Sequence, residues 1–300
     1  MIQTSLHTLP HGITLSCRFA GEKGRPVLMF LHGFPEAAFV WDGLLAHFSQ
    51  PQNGGYHCIA PNLRGFEHSS APADVAAYRP KHLVQDIAAL IEMQGAPLAC
   101  LVAHDWGGAV AWNLAASQPS LIKKLAIVNS PHPGTFLREL QHSPAQQAAS
   151  AYMNFLIRPD AEALLAADDF RRLWAFFSPL AAGDACPAWL TNDVKSQYRD
   201  IWQRGLTGPL NYYRASPLRP PTPHDPAAAA VKIERARLEV HLPTLVVWGM
   251  QDKALPPGLL DGLSDYLPNM QLQRVEDASH WIVHEQPALV TAYLQAFLAR

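Results

Sequence analysis

The stretch Leu98 to Trp112 constrains this chain more than any other. It opens on an apolar run, Leu98-Ala99-Cys100-Leu101-Val102-Ala103, as a strand buried on both faces does. It closes on Ala109, Trp112 and Ala116 at helical spacing. Between them stands one charged side chain, Asp105, with Ala103 two places before it and Gly107-Gly108 after it. Small residues on both sides of one reactive group mark a sharp strand-to-helix turn, where a larger neighbour would clash. Such a turn usually carries Ser in G-x-S-x-G; no such motif occurs here, and the position holds a carboxylate. Asp is also a favoured helix N-cap, so this stretch alone leaves both roles open.

The surrounding pattern is strand, helix, strand, helix. Short apolar runs at Val27–Leu31, His57–Pro61, Lys124–Asn129, Pro243–Gly249 and Met270–Val275 read as strands. Residues 11–20 alternate weakly and read as an edge strand. Helices are expected over 41–48, over 81–94, where Leu83, Ile87, Leu90 and Ile91 form a stripe, and over 288–298. This predicts an α/β fold with a mostly parallel eight-stranded sheet and helices on both faces. After Gly134 the buried-strand pattern stops for about a hundred residues. Helical stretches such as 161–167 and 170–177 replace it, and Pro217 to Pro223 reads as a stiff connector. The predicted organisation is a core of residues 1–134 and 239–300, with a helical cap over 135–238.

Composition narrows the function classes. The 300 residues are 49% hydrophobic and 16% charged, which suits a globular chain with a sizeable core. Net charge is −2 with no Lys/Arg run, which argues against nucleic acid or an anionic membrane as partner. No apolar run approaches the ~18 residues that cross a bilayer. The 14 His are scattered without H-E-x-x-H, so no zinc site and no cofactor are expected. Met1 to Ser5 has neither the basic nor the apolar region of a signal peptide. The four Cys (17, 58, 100, 186) include no C-x-x-C, so a reducing, cytoplasmic setting is expected.

Two further residues fall at strand ends on the edge that carries Asp105. Asp252 follows Trp248-Gly249-Met250-Gln251, and His280 follows Glu276-Asp277-Ala278-Ser279. The order nucleophile, acid, His is that of an acid–base relay. Singly, Asp252 could be a turn residue and His280 a structural histidine. His284 is a rival base that the pattern places toward solvent.

Together these segments resemble the α/β-hydrolase family, in its Asp-nucleophile branch of epoxide hydrolases and dehalogenases, over essentially the whole chain. His32-Gly33-Phe34-Pro35 is similar to that branch's oxyanion loop, and His104-Asp105-Trp106-Gly107-Gly108 to its nucleophile motif. Asn62 to Ser69 departs from it, with Asn62 where an acid and Glu67 where Gly is more usual. The resemblance implies that ionised Asp105 displaces a leaving group from an alkyl carbon and forms an ester. His280, oriented by Asp252, then activates water against that ester. The backbone N–H groups of Phe34 and Trp106 hold the oxyanion.

An epoxide oxygen leaves as a strong base and needs a donor that can deliver a proton; a halide needs only N–H donors. Gly208 to Arg214 resembles the cap segment of epoxide hydrolases with a donor tyrosine before Arg, which implies Tyr213, with Tyr212 as packing. Tyr152 to Leu156 resembles the segment holding the second donor and implies Tyr152. Fluoroacetate dehalogenases carry Arg where Trp106 stands and a cap His where Tyr152 stands. Haloalkane dehalogenases share the Trp but need a second N–H donor, for which only Trp174 and Trp189 offer themselves. The expected function is opening of an apolar epoxide by water to a vicinal diol, with dehalogenation as the alternative. Small-molecule substrate and water are the expected partners, in a monomer or homodimer. Met153, Phe155, Trp174, Phe176 and Phe177 suggest an apolar pocket.

Overall fold

The computed structural model describes residues 1–177, 187–223 and 225–300. Cys186 and His224 lie outside them. Eight strands form one sheet: β1 (Gln3–Thr8), β2 (Thr14–Ala20), β3 (Val27–Leu31), β4 (His57–Pro61), β5 (Cys100–His104), β6 (Leu125–Val128), β7 (Thr244–Gly249) and β8 (Met270–Val275). Their spatial order is β1-β2-β4-β3-β5-β6-β7-β8. Only β2 runs against the others.

The expected edge strand over residues 11–20 is corrected here. That segment is β2, hydrogen-bonded on both sides, and the edge is β1. β1 exposes alternate residues, Leu6 among them at 64% exposure, so it carries no apolar run to announce it.

The apolar runs of the central strands are continuous because both faces are covered. Met29, Leu31, Leu101, Ala103 and Val246 pack into one core, and Leu28, Phe30, Cys100, Val102 and Val247 into the other. The helices are α1 (Asp42–Phe48), α2 (Pro80–Met93), α3 (Asp105–Ser117), α4 (Pro133–His142), α5 (Pro144–Ala149), α6 (Tyr152–Leu156), α7 (Ala161–Phe177), α8 (Asn192–Trp202), α9 (Thr207–Ala215), α10 (Ile282–Glu285) and α11 (Pro287–Leu298). The chain between β6 and β7 contributes α4 to α9 and no strand among the described residues. α7 is broken at 167–170, where Asp168, Asp169 and Phe170 adopt positive φ, so the two expected helical stretches are two helices abutting at a kink.

Cys17, Cys58 and Cys100 are buried free thiols, and burial pushes each up to about 12. Among the described residues no helix is long and apolar enough to cross a membrane. The parallel strands end on one edge of the sheet, and there Leu31, His104, Val128, Gly249 and Val275 hand over to the loops that carry the polar residues.

Candidate active site

Asp105 sits at the junction of β5 and α3 with φ +47, a left-handed backbone that few residues other than Gly, Asn and Asp tolerate. The turn brings two chain segments, residues 31–33 and 105–107, into close contact. A Cβ at Gly33 would lie 2.3 Å from the Cβ of Asp105, and one at Gly107 would lie 2.5 Å from the Leu31 carbonyl oxygen. Only glycine fits at either place. Because Gly33 comes so close, the Phe34 N–H donates to Asp105 Oδ1 at 2.7 Å. Ser130 Oγ donates to the Asp105 carbonyl at 2.7 Å and holds the turn from the β6 side. His32 shapes the adjoining loop. Its Nε2 accepts from the Leu63 N–H at 3.0 Å, so Nδ1 carries the proton toward the Gly33 carbonyl at 2.9 Å. Burial holds His32 down at about 4, and it stays neutral there.

Asp252 and His280 meet on the same edge. His280 Nδ1 lies 2.7 Å from Asp252 Oδ2, and its Nε2 is 3.7 Å from Asp105 Oδ2. Asp252 is fully occupied. Oδ1 accepts from the N–H groups of Ala254 and Leu255 at 2.9 and 2.8 Å, and Oδ2 also accepts from Asn129 Nδ2 at 2.8 Å. Burial pulls the His280 imidazolium down. The Asp252 charge and hydrogen bond, then Asp105 and Glu36, outweigh that and raise it to about 9.

Tyr152 opens α6, and Tyr213 lies in α9. Their rings stand edge to face at 6.1 Å, and Tyr213 meets Phe34 and Trp106 in the same way at 5.2 and 5.0 Å. Burial, then the charges of Asp105 and Asp252, push the Tyr152 phenol far up. Burial, then Tyr152 and Asp105, do the same to Tyr213. Both hydroxyls keep their protons and can donate. The two tyrosines and Asp105 face one cavity of about 160 Å³, walled largely by apolar side chains such as Pro131, Phe136, Met153, Leu218 and Leu255.

Residues 26–287 match the family model described as alpha/beta hydrolase fold. The chain belongs to the α/β hydrolase family. It is 35% identical over 291 residues to the AB hydrolase superfamily protein YfhM of Bacillus subtilis, covering 96% of this chain and 95% of that protein. It is 31% identical over 284 residues to epoxide hydrolase 4 of Mus musculus, covering 93% of this chain and 74% of that one. The solved structure of the Bacillus megaterium epoxide hydrolase in complex with an inhibitor superposes with a TM-score of 0.86 at 30% identity, over 99% of this chain and all (100%) of that one. Within the α/β hydrolases the chain stands close to epoxide hydrolases.

All seven residues singled out in the sequence cluster here: Asp105, Asp252, His280, Tyr152 and Tyr213 through their side chains, Phe34 through its N–H, and Trp106 at the next position of the turn. His284 is a correction. It does not face solvent: its Nε2 lies 2.6 Å from Glu36 Oε1, and its side chain is 12% exposed. Glu36 is fully buried. Desolvation opposes its charge, but His284 and His104, by charge and hydrogen bond, hold it well below the usual carboxylate range, and Tyr198 Oη donates to it at 3.1 Å.

Neither Trp174 nor Trp189 lines the cavity. Trp174 Nε1 donates to the Asp169 carbonyl at 2.8 Å, and Trp189 stacks on His284 at 4.2 Å. Of the five residues from which an apolar pocket was expected (Met153, Phe155, Trp174, Phe176 and Phe177), only Met153 lines the cavity. Phe176 packs edge to face on Phe34 and Tyr152 just behind it, and Phe177 belongs to a separate aromatic cluster with Tyr198 and Trp202. The unusual Asn62 and Glu67 satisfy one another. Asn62 Oδ1 accepts from the Ala38 N–H at 2.8 Å, its Nδ2 donates to Glu67, and Ser16 Oγ donates to Glu67 at 2.7 Å.

Sequence reasoning missed Asn129, Glu36 and Ser130. Asn129 and Ser130 directly follow a buried strand on the reactive edge, a position that could have singled them out. Glu36 gave no signal beyond its place after Pro35.

Proposed function

We propose that the protein is an epoxide hydrolase that opens an apolar epoxide to a vicinal diol through an ester on Asp105. One observation carries this reading: two protonated phenols, Tyr152 and Tyr213, border the same cavity as the carboxylate of Asp105. A halide would need no proton, and the two tryptophans offered as its N–H donors lie elsewhere. The names of the related proteins support the same activity.

The two oxygens of Asp105 have different surroundings. Oδ1 accepts the Phe34 N–H, whereas Oδ2 lies toward His280. Oδ2 therefore attacks the ring carbon. The carbon–oxygen bond of the epoxide breaks, and the departing oxygen takes a proton from the tyrosine pair. Oδ1 becomes the carbonyl oxygen of the ester, already resting on the donor that will hold it as an oxyanion, with the Trp106 N–H as the expected second donor.

Esterification also removes the Asp105 charge that helped to keep His280 protonated. The imidazolium then gives up its proton more readily, so a neutral imidazole is available as base when one is needed. Water adds to the ester carbonyl and passes a proton to His280. Collapse breaks the bond between the carbonyl carbon and Oδ2, which takes the proton back from His280 and leaves as the diol; the proton left on the Asp105 acid returns to the tyrosinate and restores both the carboxylate and the phenol pair. Asp252, with Asn129 behind it, keeps the imidazole oriented and offsets its positive charge.

Residues 135–238 act in this reading as a cap that brings Tyr152 and Tyr213 over the carboxylate. The experiment that tests the function uses His280→Gln. Incubated with an aryl epoxide, this variant should accumulate an adduct on Asp105 of the mass of one substrate, and wild type should release diol. Release of halide from a bromoalkane with no diol from any epoxide would overturn the reading.

A further inference from the structure

The two oxygens of Asp252 hold different kinds of donor. Oδ1 accepts only backbone N–H groups, those of Ala254 and Leu255 at 2.9 and 2.8 Å. Oδ2 accepts two side chains, His280 Nδ1 at 2.7 Å and Asn129 Nδ2 at 2.8 Å. A carboxylate offers about four lone-pair sites, so these donors saturate it, and its side chain is 0% exposed. His280 therefore shares its oxygen with a competing donor.

The backbone holds Asn129 in that place. It directly follows β6, is fully buried, and has φ +38, a left-handed conformation that Asn tolerates. Its own N–H donates to the Val247 carbonyl at 3.0 Å, and the Gly249 N–H donates to its Oδ1 at 2.8 Å. The second bond fixes which way the amide is turned, because only its oxygen can accept there. The amino end is left on Asp252 Oδ2, with its positive pole toward the imidazole beyond. A donor on that oxygen draws off part of the charge that attracts the imidazolium.

The charged neighbours of His280 act mostly the other way. Asp252, Asp105 and Glu36 all favour the protonated ring and, against desolvation, raise it to about 9. The His104 ring stands 4.7 Å away, with its Nε2 3.0 Å from the His280 carbonyl. An imidazole held so firmly is mostly protonated near neutral pH and is a poor base until the grip loosens.

We propose that Asn129 is a positioning residue that acts through Asp252: by sharing Oδ2 with His280, it limits how tightly the carboxylate holds the protonated imidazole. His280 is thereby freed to serve as base against the ester. This role in turnover rests on the epoxide-hydrolase reading; the effect on the imidazole does not.

The test is an NMR titration of the His280 ring in the unliganded protein. Asn129→Gly removes the amide and keeps a backbone that accepts φ +38. Asn129→Ala removes it too but strains the turn. Both should move the His280 midpoint upward by about one pH unit, the worth of one hydrogen bond, and by the same amount. In single turnovers with an aryl epoxide at neutral pH, ester hydrolysis should slow up to about tenfold and recover as pH rises, while ester formation stays within about twofold. An unmoved or lowered midpoint in Asn129→Gly would overturn the proposal, since loss of mere support leaves the imidazolium less firmly held. A shift in Asn129→Ala alone would trace the effect to strain and overturn it as well. Where Asn129→Ala does not fold, Asn129→Gly decides. If wild type opens no epoxide, the functional reading fails by itself, and the NMR midpoint still judges Asn129.

Discussion

His280 Nε2 stands 3.7 Å from Asp105 Oδ2, close enough to feel its charge and too far for a hydrogen bond, while Nδ1 is bound to Asp252 at 2.7 Å. The imidazole is thus tied to one carboxylate and only leans on the other. In the proposed mechanism that asymmetry suits a base that acts after Asp105 has lost its charge. It has consequences that can be measured.

The first concerns the source of oxygen. A single turnover in heavy-oxygen water should give unlabelled diol and place the label on Asp105. Asp105→Asn should lower kcat by a factor of about 10⁴ or more. Label in the diol from the first turnover, with none in the protein, would show that water attacks the epoxide directly.

The second concerns pH. The folded-state pKa of His280 is raised from 6.5 to about 9. Its contribution to stability is therefore fully present below the unfolded value of 6.5 and is lost as pH rises through about 9. The expected loss is on the order of 3 kcal/mol over that window. Urea unfolding at the two ends of the window should show this slope in wild type and not in His280→Gln. Kinetically, the ester should persist longest at low pH. Its hydrolysis in single turnovers should speed up with a midpoint below that of the free protein, because the ester carries no charge.

The third concerns the tyrosine pair. Tyr152→Phe and Tyr213→Phe should each slow ester formation roughly 10–100-fold, and the double variant about 10³-fold or more. Decay of a preformed ester should change far less. Rapid-quench measurement of the two phases separates the effects, and unaffected ester formation in the double variant would remove both tyrosines from the mechanism.

The fourth concerns how α9 is seated. A Cβ at Gly208 would lie 2.5 Å from the Gly65 Cα, so α9 rests backbone to backbone on the loop after β4. Gly208→Ala should cost about 1–3 kcal/mol, lower the melting temperature by several degrees, and reduce kcat by shifting Tyr213. Gly43→Ala is the contrast. It lies in α1 with nothing within 4 Å of its Cβ, and should stabilise by about 0.5–1 kcal/mol.

Buried strands, the turn at Asp105, and the strand-end positions of Asp252 and His280 were legible in the chain. Each is a local consequence of composition: continuous apolar runs need cover on both faces, and a tight turn needs small neighbours. β1 was not legible, because a half-exposed edge strand has no apolar run. Glu36 and His284 were not legible either. They are 248 residues apart, and only the packed molecule makes a buried carboxylate seek an imidazole that its own segment would have left in water. The resemblance pointed to Tyr152 and Tyr213, but that they share one cavity with Asp105 depends on where α6 and α9 come to rest. The amino-acid order alone thus pointed to Asp105 as the group proposed to attack and to the sheet edge on which it stands. Tertiary structure decided which oxygen of Asp105 meets the Phe34 N–H and which histidine stands beside the other, because long-range packing sets the distances between groups that lie far apart along the backbone.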